Sequence, residues 1–179
     1  MIPHRIDIGL PRCALRAWTH RDRAALVRHA NNPRVSRTLL DRFPHPYTDA
    51  DAERWLDLAA AADGLDAIHL AIEVDGEAAG GISAMRGEAN TRFTAEIGYW
   101  LGEQHWGRGI ATAAVRALCA ALLEHTDLER IEAGSFAGNG ASIRVLEKAG
   151  FEREGVRRRH MFKDGAFIDE VRFAMLRAR

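Results

Sequence analysis

Between Tyr99 and Ala111 the chain reads Tyr-Trp-Leu-Gly-Glu-Gln-His-Trp-Gly-Arg-Gly-Ile-Ala. Gln104-x-x-Gly107-x-Gly109 is a glycine-bearing loop between an apolar strand and the start of a long amphipathic segment. The first N–H groups of a helix have no intrahelical partner, the dipole is positive there, and glycine lets backbone close around an oxyanion. The arrangement is an anion cradle and points to a phosphate-bearing ligand. Taken alone, the same spacing also fits a loop that simply needs positive φ. A nucleotide P-loop is excluded because no Gly-Lys-Ser/Thr follows. A dinucleotide fingerprint fits poorly, since it belongs in a parallel βαβ unit and three antiparallel strands read before this loop.

Other residues carry chemistry less specifically. Asn139 stands where a helix N-cap belongs, a position asparagine fills without any ligand. His69 lies in an apolar strand, where a satisfied core histidine is the plain reading and a base the sharper one. Arg153, Arg157, Arg158 and Arg159 form a solvated face or a surface for an acidic substrate or RNA. Phe43, Tyr47 and Trp55 are aromatic neighbours, Trp55 being best read as core. Cys13 and Cys119 are far apart and outside any Cys-x-x-Cys spacing, so they read as buried thiols, with no disulfide and no metal expected.

Composition narrows the class. Of 179 residues, 47% are hydrophobic and 28% charged, the balance of an ordinary globular domain. Lysine plus arginine (25) equals aspartate plus glutamate (25), so no global field draws nucleic acid, and a nucleic-acid partner is disfavoured. The start, Met-Ile-Pro-His-Arg-Ile-Asp, lacks a signal-peptide core, and no apolar run reaches the roughly 18 residues of a membrane span. The expectation is a cytoplasmic protein with no membrane partner.

The elements that must position these residues read as follows. A strand over 13–18 leads to a helix over 21–31 capped by Thr19, then a helical turn near 34–40 and an extended Pro-rich linker over 43–47. Thr48 caps a second helix with Ala52, Trp55, Leu56, Ala59 and Ala62 on one face. Strands 68–74 and 77–85 flank the hairpin turn Asp75-Gly76, and a third strand covers 91–101. The helix after the glycine loop buries Ile110, Ala114, Ala117, Leu118, Ala121 and Leu122. A strand over 131–136, a helix over 141–149 stopped by Gly150, and strands 151–162 and 166–176 about Asp164-Gly165 complete the chain. The order β-α-α-β-β-β-α-β-α-β-β predicts an α/β (α+β) fold, one domain over 1–179 with its motif-bearing part at about 12–177.

Gln-x-x-Gly-x-Gly in this setting resembles the acetyl-CoA pyrophosphate loop of the GNAT superfamily of N-acetyltransferases. Glu96-Ile97-Gly98-Tyr99-Trp100-Leu101 resembles the fourth strand of that family, and Asn139 through Phe151 its later helix. Leu15-Arg16-Ala17-Trp18 with Asp22 is similar to the RimJ/RimL-like ribosomal-protein N-acetyltransferases. The resemblance implies a mixed, mostly antiparallel sheet flanked by helices, acetyl-CoA as co-substrate, no metal, and an amine acceptor. It leaves room for a homodimer. Gln104, Trp106, Gly107, Arg108, Gly109, Ile110 and Ala111 would surround the pyrophosphate, Arg108 either by charge or as a solvated loop residue. A main-chain N–H near Trp100 or Leu101 would face the thioester oxygen where that strand splays from its neighbour. The same strand end would pair with the pantetheine arm as an added strand does.

The family often carries a strand glutamate that removes the amine proton, a role the resemblance gives to Glu96. On alternation Glu96 shares a face with Gly98 and Trp100, and a carboxylate beside apolar groups is easier to protonate. Many members place a tyrosine acid in the later helix where this chain has Leu146, which cannot donate a proton. The RimJ/RimL-like pattern uses the serine position instead, so Ser142 would stabilise the departing thiolate, while Asn139 would add a hydrogen bond to the cofactor. The expected activity is direct acetyl transfer to a primary amine of a protein or peptide N-terminus or a small molecule. Two rival readings are a non-catalytic acyl-CoA sensor, which needs neither Glu96 nor Ser142, and a toxin acetylating aminoacyl-tRNA, which wants a basic face.

Overall fold

The computed structural model describes residues 2–178 apart from His4, Asp63 and Leu65. Strand β1 (Arg5–Asp7) precedes β2 (Cys13–Ala17), α1 (Arg23–Ala30), α2 (Pro33–Ser36) and α3 (Asp49–Ala61). Then come β3 (Ala67–Val74), β4 (Glu77–Arg86), β5 (Thr94–Leu101), α4 (Ile110–His125), β6 (Arg130–Phe136), α5 (Gly140–Ala149), β7 (Glu152–Lys163) and β8 (Ala166–Leu176). These eight strands form one sheet in the order β1-β2-β3-β4-β5-β6-β8-β7. Every neighbouring pair is antiparallel except β5 and β6, which run parallel. The mixed α/β class and the mostly antiparallel sheet agree with the sequence reading.

Two departures have local causes. Strand β1 was not expected, because three residues offer no alternation to read; it exists by pairing Ile6 with Leu15. Strand β5 begins at Thr94 rather than near residue 91, since a 3-10 turn over Ala89–Thr91 puts Ala89 at φ 48°.

Helices cover both faces of the sheet. On one face, buried Ile110, Ala114, Val115, Leu118 and Leu122 of α4 and Leu146 of α5 pack against Leu15, Ile72, Ile82, Ile97, Ile131 and Phe173. On the other, Leu26 and Ala30 of α1 and Ala52 and Leu56 of α3 pack against Trp18, Ala71 and Ala78. This second cover stops near β4 and β5, leaving that face of β5, β6 and β8 open. Both cysteines are free and buried, and burial pushes the Cys119 thiol up to about 12. Among the described residues, no helix is long and apolar enough to cross a membrane.

A buried ion cluster ties the N-terminal strands to the start of α1. Arg16 gives two hydrogen bonds of 2.8 Å to Asp22 and a third to Glu73, and Arg5 reaches Glu73 at 2.7 Å. Burial alone would raise the Asp22 carboxyl, but Arg16 and the Thr19 N–H outweigh it and hold it below the usual range. The Glu73 carboxyl is lowered first by its bond to Arg5, then, against burial, by Arg16.

Arg16→Met leaves the buried Asp22 carboxylate without its guanidinium and Glu73 with Arg5 alone, and we expect a loss of about 3 kcal/mol in urea unfolding. The contribution of both carboxylates is complete above about pH 4.5 and fades as pH falls through their lowered folded values. A variant as stable as wild type, or a loss confined to alkaline pH, would contradict this cluster's role.

Candidate active site

The sheet divides at its centre. Strand β5 pairs with β6 only from Thr94/Arg130 to Ile97/Ala133. Beyond that point β5 continues with β4 alone, through Gly98/Ser83 to Leu101/Gly80, while Gly134–Phe136 of β6 continue with Glu170–Arg172 of β8. Which backbone groups face the gap follows from two contacts. The Gly102 N–H donates to the Ala79 carbonyl at 2.8 Å, and a Cβ on Gly80 would lie 2.4 Å from the Trp100 carbonyl. Even-numbered residues here therefore point at β4, and Tyr99 and Leu101 point into the gap. The Leu101 carbonyl is met there by the Trp106 indole N–H at 2.7 Å. Its N–H faces the open edge, whereas the Trp100 N–H faces β4.

The loop after β5 leads directly to the N-terminus of α4. Gly107 and Gly109 adopt φ 73° and 77°, and nothing lies within 4 Å of a Cβ built on either, so both glycines line open space. Thr48 caps α3 and Asn139 caps α5 by side chain, but α4 has no side-chain cap, and its N-cap residue is Gly109 in the left-handed region. An Ala- and Leu-rich sequence propagates the helix, whose first N–H groups have no intrahelical partner. Ile110 is buried and anchors the turn, while Ala111 is half-buried. A cleft of about 600 Å³ runs beside it, lined by Gly109, Thr112, Ala113, Arg116 and Lys148. Gln104 and Arg108 both contact the His105 ring, at 3.1 and 3.2 Å. Arg34 lies 5.6 Å over Trp106 and pairs with Glu103, which also accepts from Asn32, so α2 and its N-cap residue hold the loop in place.

Across the gap stands α5. The Asn139 side chain accepts from the Ser142 N–H at 3.1 Å, so the capping role is observed directly. The Ser142 hydroxyl is 2.9 Å from the Tyr99 phenol, which also donates to the Ser142 carbonyl at 3.2 Å. Burial pushes the phenol up to about 12, against the opposing effect of that bond to Ser142. Sequence reasoning placed Tyr99 in a motif without a role. Alternation gave its face, opposite to Glu96, but nothing local named its partner 43 residues away. Leu146 is fully buried under this helix and plays no part at the gap.

On the opposite face the setting of Glu96 differs from the expected apolar one. Its Oε1 accepts from Arg172 Nη1 at 2.6 Å, and its side chain is 57% exposed. The cause lies in the open face: Arg172 of β8 reaches over Gly134 to Glu96, to Glu132 at 2.8 Å and to Glu170 at 3.2 Å. A Cβ on Gly134 would lie 2.1 Å from the Glu170 carboxylate, so any larger residue there would displace the Glu170 and Arg172 side-chain ends. Gly98, by contrast, has nothing within 4 Å of a built Cβ, so the floor between Glu96 and Trp100 is open. Phe43 packs on Trp100 at 5.3 Å and on Tyr47 at 5.1 Å, forming an aromatic wall. Trp55 is half-buried at the rim of the core, edge-on to Trp18 and His69. The His69 Nδ1 lies 2.8 Å from the Ser83 hydroxyl. Of the arginine run, Arg157 turns to the buried Glu170 and Arg159 occupies a bulge at φ 51° with its N–H on Asp169. Among the described residues, no group of three His, Cys, Asp or Glu side chains is placed to hold a metal.

Comparison with known proteins matches this layout. The acetyltransferase (GNAT) domain family matches residues 12–152. The probable N-acetyltransferase YjcK of Bacillus subtilis (strain 168) is 42% identical over 92 residues, 51% of this chain and 49% of that protein. The L-amino acid N-acetyltransferase AaaT of Escherichia coli (strain K12) is 26% identical over 142 residues, 76% of this chain and 81% of that protein. Over its matched part the chain spans about half the length of the first curated relatives. Among solved structures, Mycobacterium smegmatis RimJ in complex with CoA-disulfide has a TM-score of 0.76 at 28% identity, covering 96% of this chain and 84% of that one.

The burial of both tyrosines, Tyr47 and Tyr99, gives an optical prediction. Each phenol is pushed up to about 12 by burial, Tyr47 further by Asp51. Ultraviolet titration of the folded protein should therefore show no phenolate step at the ordinary value of about 10. A full tyrosine step there in folded protein would place Tyr99 in water and break its link to Ser142.

Proposed function

Since the chain belongs to the GNAT acetyltransferase family, we propose that it moves the acetyl group of acetyl-CoA to a primary amine by direct transfer. The observation that carries this reading is the separation of β5 from β6 after Ile97, opening onto an uncapped helix N-terminus. An unpaired strand edge can take up an extended thioester arm, and helix N–H donors at the end of that edge can hold its pyrophosphate; this chain has one directly after the other. Bound acetyl-CoA supplies an activated acetyl group. The residues Gly107–Ala111 hold its pyrophosphate through backbone N–H groups, with Gln104 and Arg108 at the rim. The open edge at Tyr99 and Leu101 pairs with the pantetheine arm.

The Leu101 N–H then faces the carbonyl oxygen as negative charge develops on it, a fixed dipole that needs no reorganisation. Ser142 turns its hydroxyl proton to the departing sulfur as the Tyr99 phenol swings its own proton from the Ser142 carbonyl to Ser142 Oγ. A thiol with an ordinary pKa of about 8.5 needs stabilisation more than obligatory protonation, which suits a serine. Asn139 fixes Ser142 by capping, and its side-chain NH2 is directed to the cofactor. Glu96 keeps one oxygen for an incoming ammonium group while Arg172 holds the other, so its proposed part is to attract and align the amine. The acceptor is a primary amine, of a peptide or protein N-terminus or of a small molecule. The open, charged floor of Glu96 and Arg172 beside the wall of Phe43 and Trp100 has room for either. The meeting of Ser142 with Tyr99 at the gap favours an enzyme over a sensor, and the use of Arg157 by Glu170 weakens the tRNA reading.

Three outcomes are expected of thiol release measured against a panel of peptide N-termini, polyamines and amine antibiotics. Gly109→Val puts a β-branched residue at φ 77°, a backbone strain of about 1–3 kcal/mol, and should abolish acetyl-CoA binding in a folded protein. Normal binding would sink the loop assignment. Ser142→Ala should lower kcat about tenfold or more with acetyl-CoA affinity retained; an unchanged kcat would remove it from the chemistry. Glu96→Gln should raise the acceptor KM several-fold and leave the acid limb of the pH profile in place. Loss of that limb would make Glu96 the base.

A further inference from the structure

With Glu96 engaged by Arg172, the question is which group takes the proton from the attacking amine. The register across the open face gives an answer. His69 of β3 is paired with Ser83 of β4, and Ser83 with Gly98 of β5, so the three residues form one row on the same face of the sheet. The His69 Nδ1 and Ser83 Oγ are 2.8 Å apart, and both side chains are half-buried rather than sealed in the core. Next in the row, Gly98 presents no side chain, and the space above it is empty to 4 Å. Gly98 is also the first residue past the last β5–β6 pair, so this space lies at the mouth of the gap. Glycine here leaves room for something that is not protein.

We propose that Ser83 and His69 form the relay that accepts the amine proton, an inference that rests on the acetyl-transfer reading. The acceptor gives up its ammonium proton to solvent on entering and then sits over Gly98 as a neutral amine with one N–H on the Ser83 oxygen. As its nitrogen lone pair forms the C–N bond at the thioester carbon, that proton passes to Ser83 Oγ. The hydroxyl proton of Ser83 moves at the same time to His69 Nδ1, giving an imidazolium. The C–S bond breaks with its electron pair on sulfur, toward Ser142 on the other face, and His69 afterwards returns its proton to solvent. Ser83 is the catalytic residue, and His69 is a positioning residue acting through it.

The surroundings of His69 suit this part. Trp55 of α3 stands edge-on at 5.0 Å and Ser83 faces it from β4. Arg42, from the loop before α3, is the charged group among the described residues whose field acts on the ring. Burial first, then Arg42, lowers the imidazolium below its ordinary value, so at neutral pH the ring is an unprotonated acceptor. By the same sign, protonation on the acid side, below about pH 6.5, switches the relay off.

The test compares wild type, Ser83→Ala, Ser83→Thr, His69→Asn and the double variant Ser83→Ala/His69→Asn, using the best amine of the panel. Each single removal should lower kcat about 100-fold with acetyl-CoA Kd within twofold, and the double variant should be no worse than either. Ser83→Thr, which keeps the hydroxyl, should recover most of the rate. The acid limb of kcat/KM should vanish in His69→Asn. Wild-type rates and an intact acid limb in the single variants would overturn the relay while leaving acetyl transfer standing. Absence of thiol release by wild type with every amine would overturn both. Nitrogen NMR of the imidazole gives a reading without any acceptor: His69 should carry its proton on Nε2 and accept at Nδ1. A proton resident on Nδ1 at neutral pH would also overturn the proposal.

Discussion

One feature organises this molecule: the two parallel strands at the middle of the sheet are paired along only the first part of their length. Beyond Ile97, β5 follows β4, and beyond Ala133, β6 follows β8. Each keeps a good antiparallel partner, so the sheet stays whole while its centre opens. Backbone polar groups exposed inside a fold must find partners. Here Trp106 meets the Leu101 carbonyl, and the remaining edge at Tyr99 and Leu101 has no strand beside it. The split also fixes the division of labour between faces. Ser142 and Tyr99 stand on the α5 side of the gap, and Glu96, Gly98 and the Ser83–His69 pair stand on the open side.

The rest of the structure secures that opening. The α4 core, with Ile110, Val115 and Leu118 buried against the sheet, fixes where the glycine cradle ends. The second core of Trp18, Leu26 and Leu56 holds α1 and α3 over β2–β4 and carries the aromatic wall of Phe43 and Tyr47 to the edge of the floor. Contacts from Asn32 and Arg34 to Glu103 join α2 to the glycine loop, so the two are positioned by one another.

Much of this was legible in the residues. Alternation and turn chemistry gave the hairpins at Asp75-Gly76 and Asp164-Gly165, both confirmed by pairing. Gln104-x-x-Gly107-x-Gly109 announced a loop that needs positive φ, and Gly107 and Gly109 have it. What stayed hidden is non-local. Arg172 lies 76 residues from Glu96, and Tyr99 lies 43 from Ser142, so no window of the sequence contains either pair. The split itself depends on which strand each half of β5 and β6 prefers, a competition that periodicity does not express. For the same reason Glu96 read as a carboxylate among apolar neighbours: its own strand supplies Gly98 and Trp100, while its partner arrives from β8.

The most direct test of the central claim is amide hydrogen exchange with and without saturating acetyl-CoA. The account predicts new protection at the Leu101 amide and at residues 107–112. Trp100, already directed at β4, should change little. Protection confined to other parts of the surface, or none at Leu101 and the cradle, would contradict the claim that the divided sheet is the cofactor site.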